Sequence, residues 1–516
     1  TQLAINVVDI NYTTPEAVDT AIANWVVPKS GNPYIDPLIF GFTLDPDYDY
    51  STPLTVTYSF ITNDSVFYEG APEEIYNPSE SYMAAISDMF SYVGSLLGIN
   101  FVLIEETDSV VGDIRCGLFS EEADDDGNIT LGYCEVSGTN DGNIERYLSD
   151  IGSSASNIWF NVLSFDEDNV VEGTEIYTTI LHEIGHAIGL DHPMQDTNNP
   201  YLLYLLDTYG AYLSEEYIYE IWGVDFDRWG DQFVGISEFS DRIVNAFDWQ
   251  AYTIMSYDDY GYEDWSNVED RLGQLAIRSS ETGQIVTATT FMSLDIWALM
   301  YIYNYNPVTD TWNIPPVNEG DNTYVFSGAF LETIHDTGGI DTIDLSAFNI
   351  DIDFNLNFYG PTWDENTQEY HLTNKHNEIG SDLLDYDDGD FFTGSVLNAS
   401  PFTVIENLIL GSGNDSVLAS FDDIVNEIRA GAGDDSIYYI GNLDSIYGEG
   451  GDDYFQATSD TFTLIDGGIG FDVLTIDQVL LENGLYSIDF RDLIQGQITN
   501  IEQLNYGMEQ VEGKGQ

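Results

Sequence analysis

Three of the six histidines of this 516-residue chain lie in one short stretch, His182-Glu183-Ile184-Gly185-His186-Ala187-Ile188-Gly189-Leu190-Asp191-His192. Histidines four residues apart on a helix project from the same face, so His182 and His186 can bind one metal ion. Glu183 lies beside the first of them, where its carboxylate can hold a metal-bound water. Gly189 allows the chain to leave the helix, and His192 can then return as a third nitrogen ligand. The alternative is a chance match on an amphipathic helix, which requires an unusual concentration of a scarce residue type.

A second candidate segment lies downstream, at Ile254-Met255-Ser256-Tyr257. A methionine in a tight turn can form an apolar floor beneath three histidine ligands, and Tyr257 can bring its phenol near the metal. Taken alone, this segment indicates buried core. Downstream of the histidine motif it indicates a Met turn.

The elements that must position these residues are predicted by the hydrophobic pattern from Leu54 onward. An amphipathic helix is expected over 79–97, ending near Gly98, and another over 291–303. Alternating residues predict strands at 54–60, 100–105, 112–116, 129–133 and 157–161. With the metal-site helix at 174–190, these elements predict a mixed α/β domain with the helix behind a sheet.

After about residue 315 the helical periodicity fades, and four Gly/Asp-rich segments recur. The residues that we predict to bind calcium in them are Gly411, Gly413 and Asp415; Gly431, Gly433 and Asp435; Gly448, Gly450 and Asp452; and Gly468, Gly470 and Asp472. These aspartates are 20, 17 and 20 residues apart, about twice a nine-residue repeat, so equivalent loops stack once per turn of a coil. Carbonyl and carboxylate oxygens suit calcium. A flexible Gly/Asp-rich linker is the alternative, but it does not need the apolar residue found two positions after each aspartate.

The net charge of the chain narrows the classes of partner that it can bind. The chain has 91 acidic and 11 basic residues, a formal charge of −80, which argues against nucleic acid and anionic membranes as partners. Solvation in a salty medium and binding of divalent cations are two explanations for this excess of acidic residues, and we expect both to apply.

Cys116 and Cys134 flank an acidic turn and predict one disulfide, with two buried free thiols as the alternative.

We divide the chain into three regions. Residues 1–50 form an N-terminal extension with a short helix near 15–26, residues 51–315 the catalytic domain, and residues 316–516 the calcium-binding domain. The aromatic and acidic stretch at 193–250 is either core or a border of the cleft.

The histidine motif, the Met turn and the glycine-rich nonapeptides together resemble the serralysins, secreted bacterial zinc metalloproteases of the metzincin group with RTX repeats. The resemblance covers roughly residues 54–475. The segment 333–344 is similar to the one that opens the calcium-binding β-roll of that family, and 404–407 is similar to its lead-in to the first repeat. The resemblance implies an α+β metzincin catalytic domain followed by an all-β parallel β-roll.

The resemblance also implies roles for individual residues. His182, His186 and His192 would bind one catalytic zinc ion, and Glu183 would be the general base that activates the zinc-bound water. Tyr257 would be a further zinc ligand that moves to stabilise the oxyanion. Several structural calcium ions would be bound by the loops, and four further calcium ligands at the domain junction would be Asp336, Gly338, Asp341 and Glu406.

The function expected from these features is a secreted, monomeric zinc endopeptidase that hydrolyses extracellular proteins or peptides. Two alternatives are a non-enzymatic calcium-dependent adhesin and another metzincin type fused to RTX repeats. The chain departs from the family in its two cysteines, in the long interval between His192 and Met255, and in residues 1–50, which have no clear match. Its C-terminal tail lacks the apolar export signal of the family.

Overall fold

The structure is a computed structural model. It describes residues 27, 30, 32, 35–39, 43–44, 48, 50, 53–65, 71–72, 74–107, 110–123, 130–135, 156–164, 170–192, 253–256, 286–357, 362–364, 369–371, 377–386, 389–420, 424–441, 443–458, 462–477 and 496–507. Of these, 362–364, 369–371, 378–386, 389–394, 477 and 506–507 are described by their backbone alone. The predicted helix near 15–26, the aromatic stretch 193–250, Tyr257 and the C-terminal tail lie outside the described residues.

The chain divides into two compact units, with the main boundary between Pro315 and Pro316. The first unit is built on a six-stranded sheet. Its strands are β1 (Thr55–Phe60), β2 (Ile75–Tyr76), β3 (Asn100–Leu103), β4 (Ile114–Phe119), β5 (Gly132–Glu135) and β6 (Ser156–Asn161). The order is β3-β1-β4-β6-β5, with β2 beside β4. The strands β3, β1, β4 and β6 run parallel, whereas β5 runs antiparallel to β6. The strand order places β5 at one edge of the sheet.

Helix α1 (Glu80–Leu97) confirms the prediction for 79–97, because Ser79 caps its first turn and the helix ends at Gly98. Its buried face consists of Tyr82, Ile86, Met89, Phe90, Val93, Leu96 and Leu97. This apolar stripe recurs at the helical period, as expected for a helix that packs against a sheet.

Helix α2 (Glu175–Ala187) carries the histidine motif and is capped by Thr174. It ends three residues before the predicted boundary at Leu190, because Gly189 adopts a left-handed backbone with φ 110°. The helix α3 (Ser293–Asn304) is buried along its whole length, so the prediction of an amphipathic helix was wrong in that respect. A short hairpin of β7 (Tyr305–Asn306) and β8 (Thr311–Trp312) follows it.

The predicted disulfide does not form, and both cysteines are free thiols. Cys116 on β4 and Cys134 on β5 each lie opposite Ile158, which is on the strand between them. Neighbouring strands lie about 4.8 Å apart, so the two cysteines are separated by about twice that distance. A disulfide requires Cα atoms within about 7 Å. The sequence suggested a simple hairpin, but β6 separates its two arms.

The elements found among the described residues of the second unit are β-strands, most of them short. They are β9 (Thr323–Val325), β10 (Leu331–Ile334), β11 (Thr342–Asp344), β12 (Asp353–Asn355), β13 (Thr362–Asp364), β14 (Glu369–His371), β15 (Asn377–Tyr386), β16 (Gly389–Ala399), β17 (Asn407–Ile409), β18 (Ser416–Leu418), β19 (Glu427–Arg429), β20 (Ser436–Ile440), β21 (Ser445–Tyr447), β22 (Tyr454–Ala457), β23 (Leu464–Asp466), β24 (Val473–Asp477), β25 (Ile498–Thr499) and β26 (Gln503–Gly507).

From β17 to β26, successive strands alternate between two parallel sheets. One sheet has the order β25-β23-β21-β19-β17-β11-β9 and the other β12-β18-β20-β22-β24-β26. The second residue of each strand from β17 to β24 is buried in the core between the sheets. These residues are Leu408, Val417, Ile428, Ile437, Ile446, Phe455, Ile465 and Leu474. The chain therefore winds as a two-sheet parallel coil from β17 to β26, which is compatible with the predicted parallel second region. The pairs β13–β14 and β15–β16 are antiparallel and depart from that prediction. Among the described residues, no helix has both the length and the apolar character needed to cross a membrane.

Candidate metal centre

The structure brings the three histidines of the motif together. His192 Nε2 lies 3.1 Å from His182 Nε2 and 3.0 Å from His186 Nε2. The three ligand atoms all lie within 4.8 Å of one another. Ligand nitrogens at about 2.0 Å from a tetrahedral zinc ion are roughly 3.3 Å apart, so this arrangement suits one zinc ion.

Backbone carbonyls orient two of the rings. His182 Nδ1 lies 2.7 Å from the carbonyl oxygen of Ile254, and His186 Nδ1 lies 2.9 Å from that of Leu190. A carbonyl oxygen can only accept, so each Nδ1 carries the proton. The lone pair of each Nε2 is therefore directed at the point where the three rings meet, which is the tautomer that a metal ligand requires.

The electrostatics of the site favour neutral imidazoles. Burial lowers the pKa of His182. Burial and the neighbouring His182 and His192 lower the pKa of His186 well below its ordinary value. Burial and His182 lower the pKa of His192 to about 3. Neutral rings keep the lone pairs that a cation needs.

The segment that carries the third histidine is held from two sides. The backbone N–H of Asp191 donates to Leu38 O at 2.9 Å, and Ile39 forms an antiparallel bridge with Leu190. The Asp191 carboxylate accepts the backbone N–H of His192 at 2.8 Å. On the other side, Tyr303 of α3 donates its hydroxyl to Ile188 O. Residues near the N-terminus thus take part in building the site, which the sequence pattern did not reveal.

Glu183 is 6% exposed, next to the first histidine ligand on α2. Its Oε2 is buried and has no hydrogen-bond partner among the described residues. Burial raises the pKa of Glu183 to about 8. A carboxyl group with such a pKa can take up and release a proton near neutral pH.

The predicted Met turn lies directly against α2. Met255 is fully buried, and a Cβ added at Gly185 would meet its Sδ at 2.9 Å. Only glycine at this position allows the sulfur to approach the helix so closely. Tyr257, which was predicted as a further ligand, lies outside the described residues.

Hydrogen bonds to a buried carboxylate hold this turn in place, and that residue was not predicted from the sequence. Asp295 accepts hydrogen bonds from the Thr253 hydroxyl at 2.5 Å, the Ile254 N–H at 2.8 Å and the Met292 N–H at 2.9 Å. Burial raises the pKa of Asp295 to about 7, although these three donors favour the ionised form.

In the second unit, four aspartates form a continuous row along one side of the coil. Asp435 Oδ1 accepts the N–H of Asp415 at 2.7 Å, Asp453 that of Asp435 at 2.9 Å, and Asp472 that of Asp453 at 2.9 Å. Each of these side chains is at most 2% exposed as a residue, and the Oδ2 atom of each is buried without a hydrogen-bond partner. We call these four residues the aspartate row.

The aspartate row corrects one predicted residue. In the third loop the row contains Asp453, whereas Asp452 lies in a more exposed line, where its carboxylate accepts the N–H of Phe471. The register is clear from the core, because fully buried Phe455 lies two residues after Asp453. Counting back from the apolar residue, rather than aligning the glycines, would have given this result.

The glycines of that loop follow the same register. A Cβ at Gly451 would lie only 1.7 Å from Gly433 O, whereas one at Gly450 would meet its nearest atom at 4.0 Å. The close approach of successive turns therefore involves Gly413, Gly433, Gly451 and Gly470, and Glu449 replaces a glycine at the equivalent of Gly431. The predicted pair Gly448 and Gly450 is thus shifted by one residue.

The opposite side of the coil carries different residues nine positions before each member of the aspartate row. They are Glu406, Asn426, Asp444 and Thr463. Asp444 accepts the N–H of Asn426 with Oδ1 and that of Gly441 with Oδ2, both at 2.8 Å. Both of its oxygens are therefore occupied by the protein, unlike those of the aspartate row.

The four residues predicted at the start of the coil also lie close together. Asp336 accepts hydrogen bonds from Gly338 N and the Tyr324 hydroxyl, and Glu406 accepts the N–H of Asp341 at 2.8 Å. Asp341 Oδ2 is buried without a partner. Burial and the nearby Asp336 raise the pKa of Asp341.

Comparisons with known proteins indicate the class of protein that this chain resembles. No family model matches the chain. Metalloprotease AprA of Pseudomonas entomophila (strain L48) is 26% identical over 330 residues, which is 60% of this chain and 53% of that protein. Serralysin of Photorhabdus sp. (strain Az29) is 28% identical over 319 residues, 60% of this chain and 52% of that protein. The chain therefore spans about half the length of the curated relatives it matches.

These two relatives confirm the resemblance to serralysin-type metalloproteases that the sequence motifs predicted. A solved structure, that of myroilysin, matches 50% of this chain and 94% of its own at 18% identity, with a TM-score of 0.22.

Proposed function

We propose that the chain is a zinc-dependent endopeptidase. The observation that carries this proposal is the convergence of the Nε2 atoms of three uncharged imidazole rings beside the buried carboxyl group of Glu183. Backbone carbonyls orient two of these rings through Nδ1. His182, His186 and His192 hold the zinc ion. The named activities of the two curated relatives support the same reaction class.

Zinc, when bound here, supplies a Lewis acid that polarises the scissile carbonyl and lowers the pKa of water. Glu183 acts as the general base. Its Oε2 has no hydrogen-bond partner among the described residues, so no existing hydrogen bond must break before it accepts a proton. A neighbouring cation lowers the raised pKa of the carboxyl group towards its ordinary range. Glu183 takes a proton from the attacking water and then delivers it to the leaving amine. Tyr257 stabilises the oxyanion in this proposal.

The second unit binds calcium through the aspartate row and the cluster of Asp336, Asp341 and Glu406, and it is a β-roll of the RTX type. Support comes from the buried Oδ2 atoms, which have no hydrogen-bond partner among the described residues, and from the glycine-rich loops before each aspartate, whose carbonyls can complete an oxygen shell. Isolated buried carboxylates are costly unless a cation or a proton neutralises them.

Coupling of this unit to calcium supports an extracellular location, because such a unit folds where calcium is abundant. The substrates are proteins or peptides outside the cell, and the enzyme acts as a monomer. The charge of −80 disfavours nucleic acid and anionic membranes as partners.

Zymography on casein tests the proposal with a matched pair of variants. Glu183→Gln removes the base and should lower activity by about a hundredfold to ten-thousandfold while retaining zinc. Glu175→Gln makes the same chemical change at an exposed position in the first turn of the same helix and should retain activity. A Glu183→Gln protein with parental activity would show that the base is wrongly assigned. A parent that binds zinc but cleaves no protein would favour the adhesin.

A further inference from the structure

A continuous run of hydrogen bonds connects a buried carboxylate to the histidine site. Asp295 Oδ1 accepts the Thr253 hydroxyl at 2.5 Å, and Thr253 Oγ1 accepts the N–H of Met255 at 3.1 Å. That N–H belongs to the same peptide group as the carbonyl of Ile254. The carbonyl in turn accepts Nδ1–H of His182 at 2.7 Å. The run therefore passes from carboxylate to hydroxyl, to peptide, to imidazole.

The other oxygen of Asp295 fixes the frame on which this run depends. Its Oδ2 accepts the N–H groups of Ile254 and Met292, at 2.8 and 2.9 Å. The turn is thereby tied to the first turn of α3, and both Asp295 and Thr253 are fully buried. Water cannot readily replace any of these donors, so the orientation of the Ile254 carbonyl depends on the two side chains.

We propose that Asp295 is a positioning residue for the zinc ligand His182, and that it acts through Thr253 and the Ile254–Met255 peptide. Hydrogen bonds in a chain polarise one another, so a carboxylate at the far end makes the carbonyl a stronger acceptor. A stronger acceptor at Nδ1 makes Nε2 a better ligand and holds the ring in place. The role rests on the proposed function, because it is a role towards zinc.

Three variants distinguish an effect of this run of hydrogen bonds, which we call the relay, from an effect of side-chain packing. Thr253→Val has nearly the same shape but interrupts the run, and leaves the bonds to Asp295 Oδ2 possible. Thr253→Ser keeps the hydroxyl and serves as the rescue. Asp295→Asn removes the charge while keeping an acceptor. The matched control is Thr178→Val on α2, which removes a hydroxyl bonded to Ala288 O, outside the run.

The measurements are the zinc dissociation constant, by competition with a chromophoric chelator, and the visible absorption spectrum of the cobalt-substituted protein. Removal of a partner in the second coordination shell weakens metal binding by about tenfold to a hundredfold, so we expect that loss for Thr253→Val and Asp295→Asn. Thr253→Ser and Thr178→Val should bind like the parent. In the double variant Thr253→Val/Asp295→Asn, the two losses should not multiply, because they interrupt the same run.

Parental zinc affinity and an unchanged cobalt spectrum in a folded Thr253→Val protein would overturn the relay. So would an equal loss in Thr178→Val. If Asp295→Asn does not fold, the Thr253 pair still decides the question. A parent that itself binds no zinc would instead refute the proposed function, so the two failures are distinguishable.

Discussion

The histidine site and the aspartate row differ in what holds their ligand atoms in place. At the histidine site, carbonyls of Ile254 and Leu190 orient two uncharged rings, and a fully buried helix and turn support them. In the aspartate row the candidate ligands are carboxyl groups stacked on one another, each with one oxygen that accepts an N–H from the preceding turn and one without a hydrogen-bond partner among the described residues. Burial together with Asp415 and Asp453 raises the pKa of Asp435 to about 8.

Because of this difference, we expect the two regions to depend on their cations in different ways. Neutral ligands repel one another weakly, so the fold itself can arrange them around a point. A row of carboxylates opposes its own formation once the groups ionise, so we expect the proposed calcium ions to contribute to the folding of the second unit. We therefore expect the fold to arrange the three histidines without zinc, whereas the coil should fold only when a cation binds the aspartate row.

Removal of the two cations should give the largest contrast. In excess EGTA with zinc resupplied, we expect the β-sheet signal of the second unit to disappear from the circular dichroism spectrum. Removal of zinc by phenanthroline in the presence of calcium should abolish activity and leave the spectrum nearly unchanged. A fully formed coil in excess EGTA would remove the basis of the comparison.

A matched pair of substitutions in the coil should give the next largest effect. Asp435→Asn removes a charge from the aspartate row, so it should weaken calcium binding and lower the melting temperature with calcium, yet raise the residual stability in chelator. Asp444→Asn removes an acceptor from a carboxylate whose two oxygens both bind N–H groups. The loss of this acceptor should lower the free energy of unfolding by about 1–3 kcal/mol with or without calcium, which corresponds to roughly 3–10 °C in melting temperature.

Thermal melts of both variants, with calcium and in EGTA, provide the measurement. The decisive result is the sign of the Asp435→Asn effect in chelator. If both substitutions lower stability equally under both conditions, Asp435 has the same structural role as Asp444, and calcium does not occupy the row.

The residues that sequence alone could predict are those whose geometry is local. The His182–His186 spacing and the exit at Gly189 depend on one helix, and the boundaries of α1 depend on its own capping residues. Three features that the sequence did not reveal depend on pairing between distant segments. These are the strand β6 between Cys116 and Cys134, and the contacts of Leu38 with Asp191 and of Asp295 with Thr253.

The register of the third loop is an intermediate case. Asp452 and Asp453 are adjacent and both come after the glycines of the loop, so composition does not separate them. The requirement that a core residue follow two positions later does separate them, because the side chain of Phe455 must point inward in step with those of Ile437 and Leu474. Period-two alternation along a strand thus carries more information about the ligands than the glycines do.

The smallest expected effect concerns pH in the absence of calcium. Burial, followed by neighbouring carboxylates, raises the pKa of Asp415 and Asp453 to about 6 and that of Asp435 to about 8. In the unfolded chain these groups have a pKa of about 3.9. The folded coil therefore binds more protons between these values, and the stability that they provide below about pH 4 is lost as the pH rises through about 6 and then about 8.

In EGTA, the β-sheet signal of the second unit should accordingly be larger at pH 5 than at pH 8. With saturating calcium the order should reverse, because only ionised carboxylates bind the cation. Asp435→Asn should flatten the dependence in chelator more than the same change at Asp415 or Asp453, since the pKa of Asp435 is the highest of these three. A signal in chelator that is equal at the two pH values would mean that mutual repulsion along the row does not limit folding. The histidine site would then no longer differ from the row in its dependence on a cation.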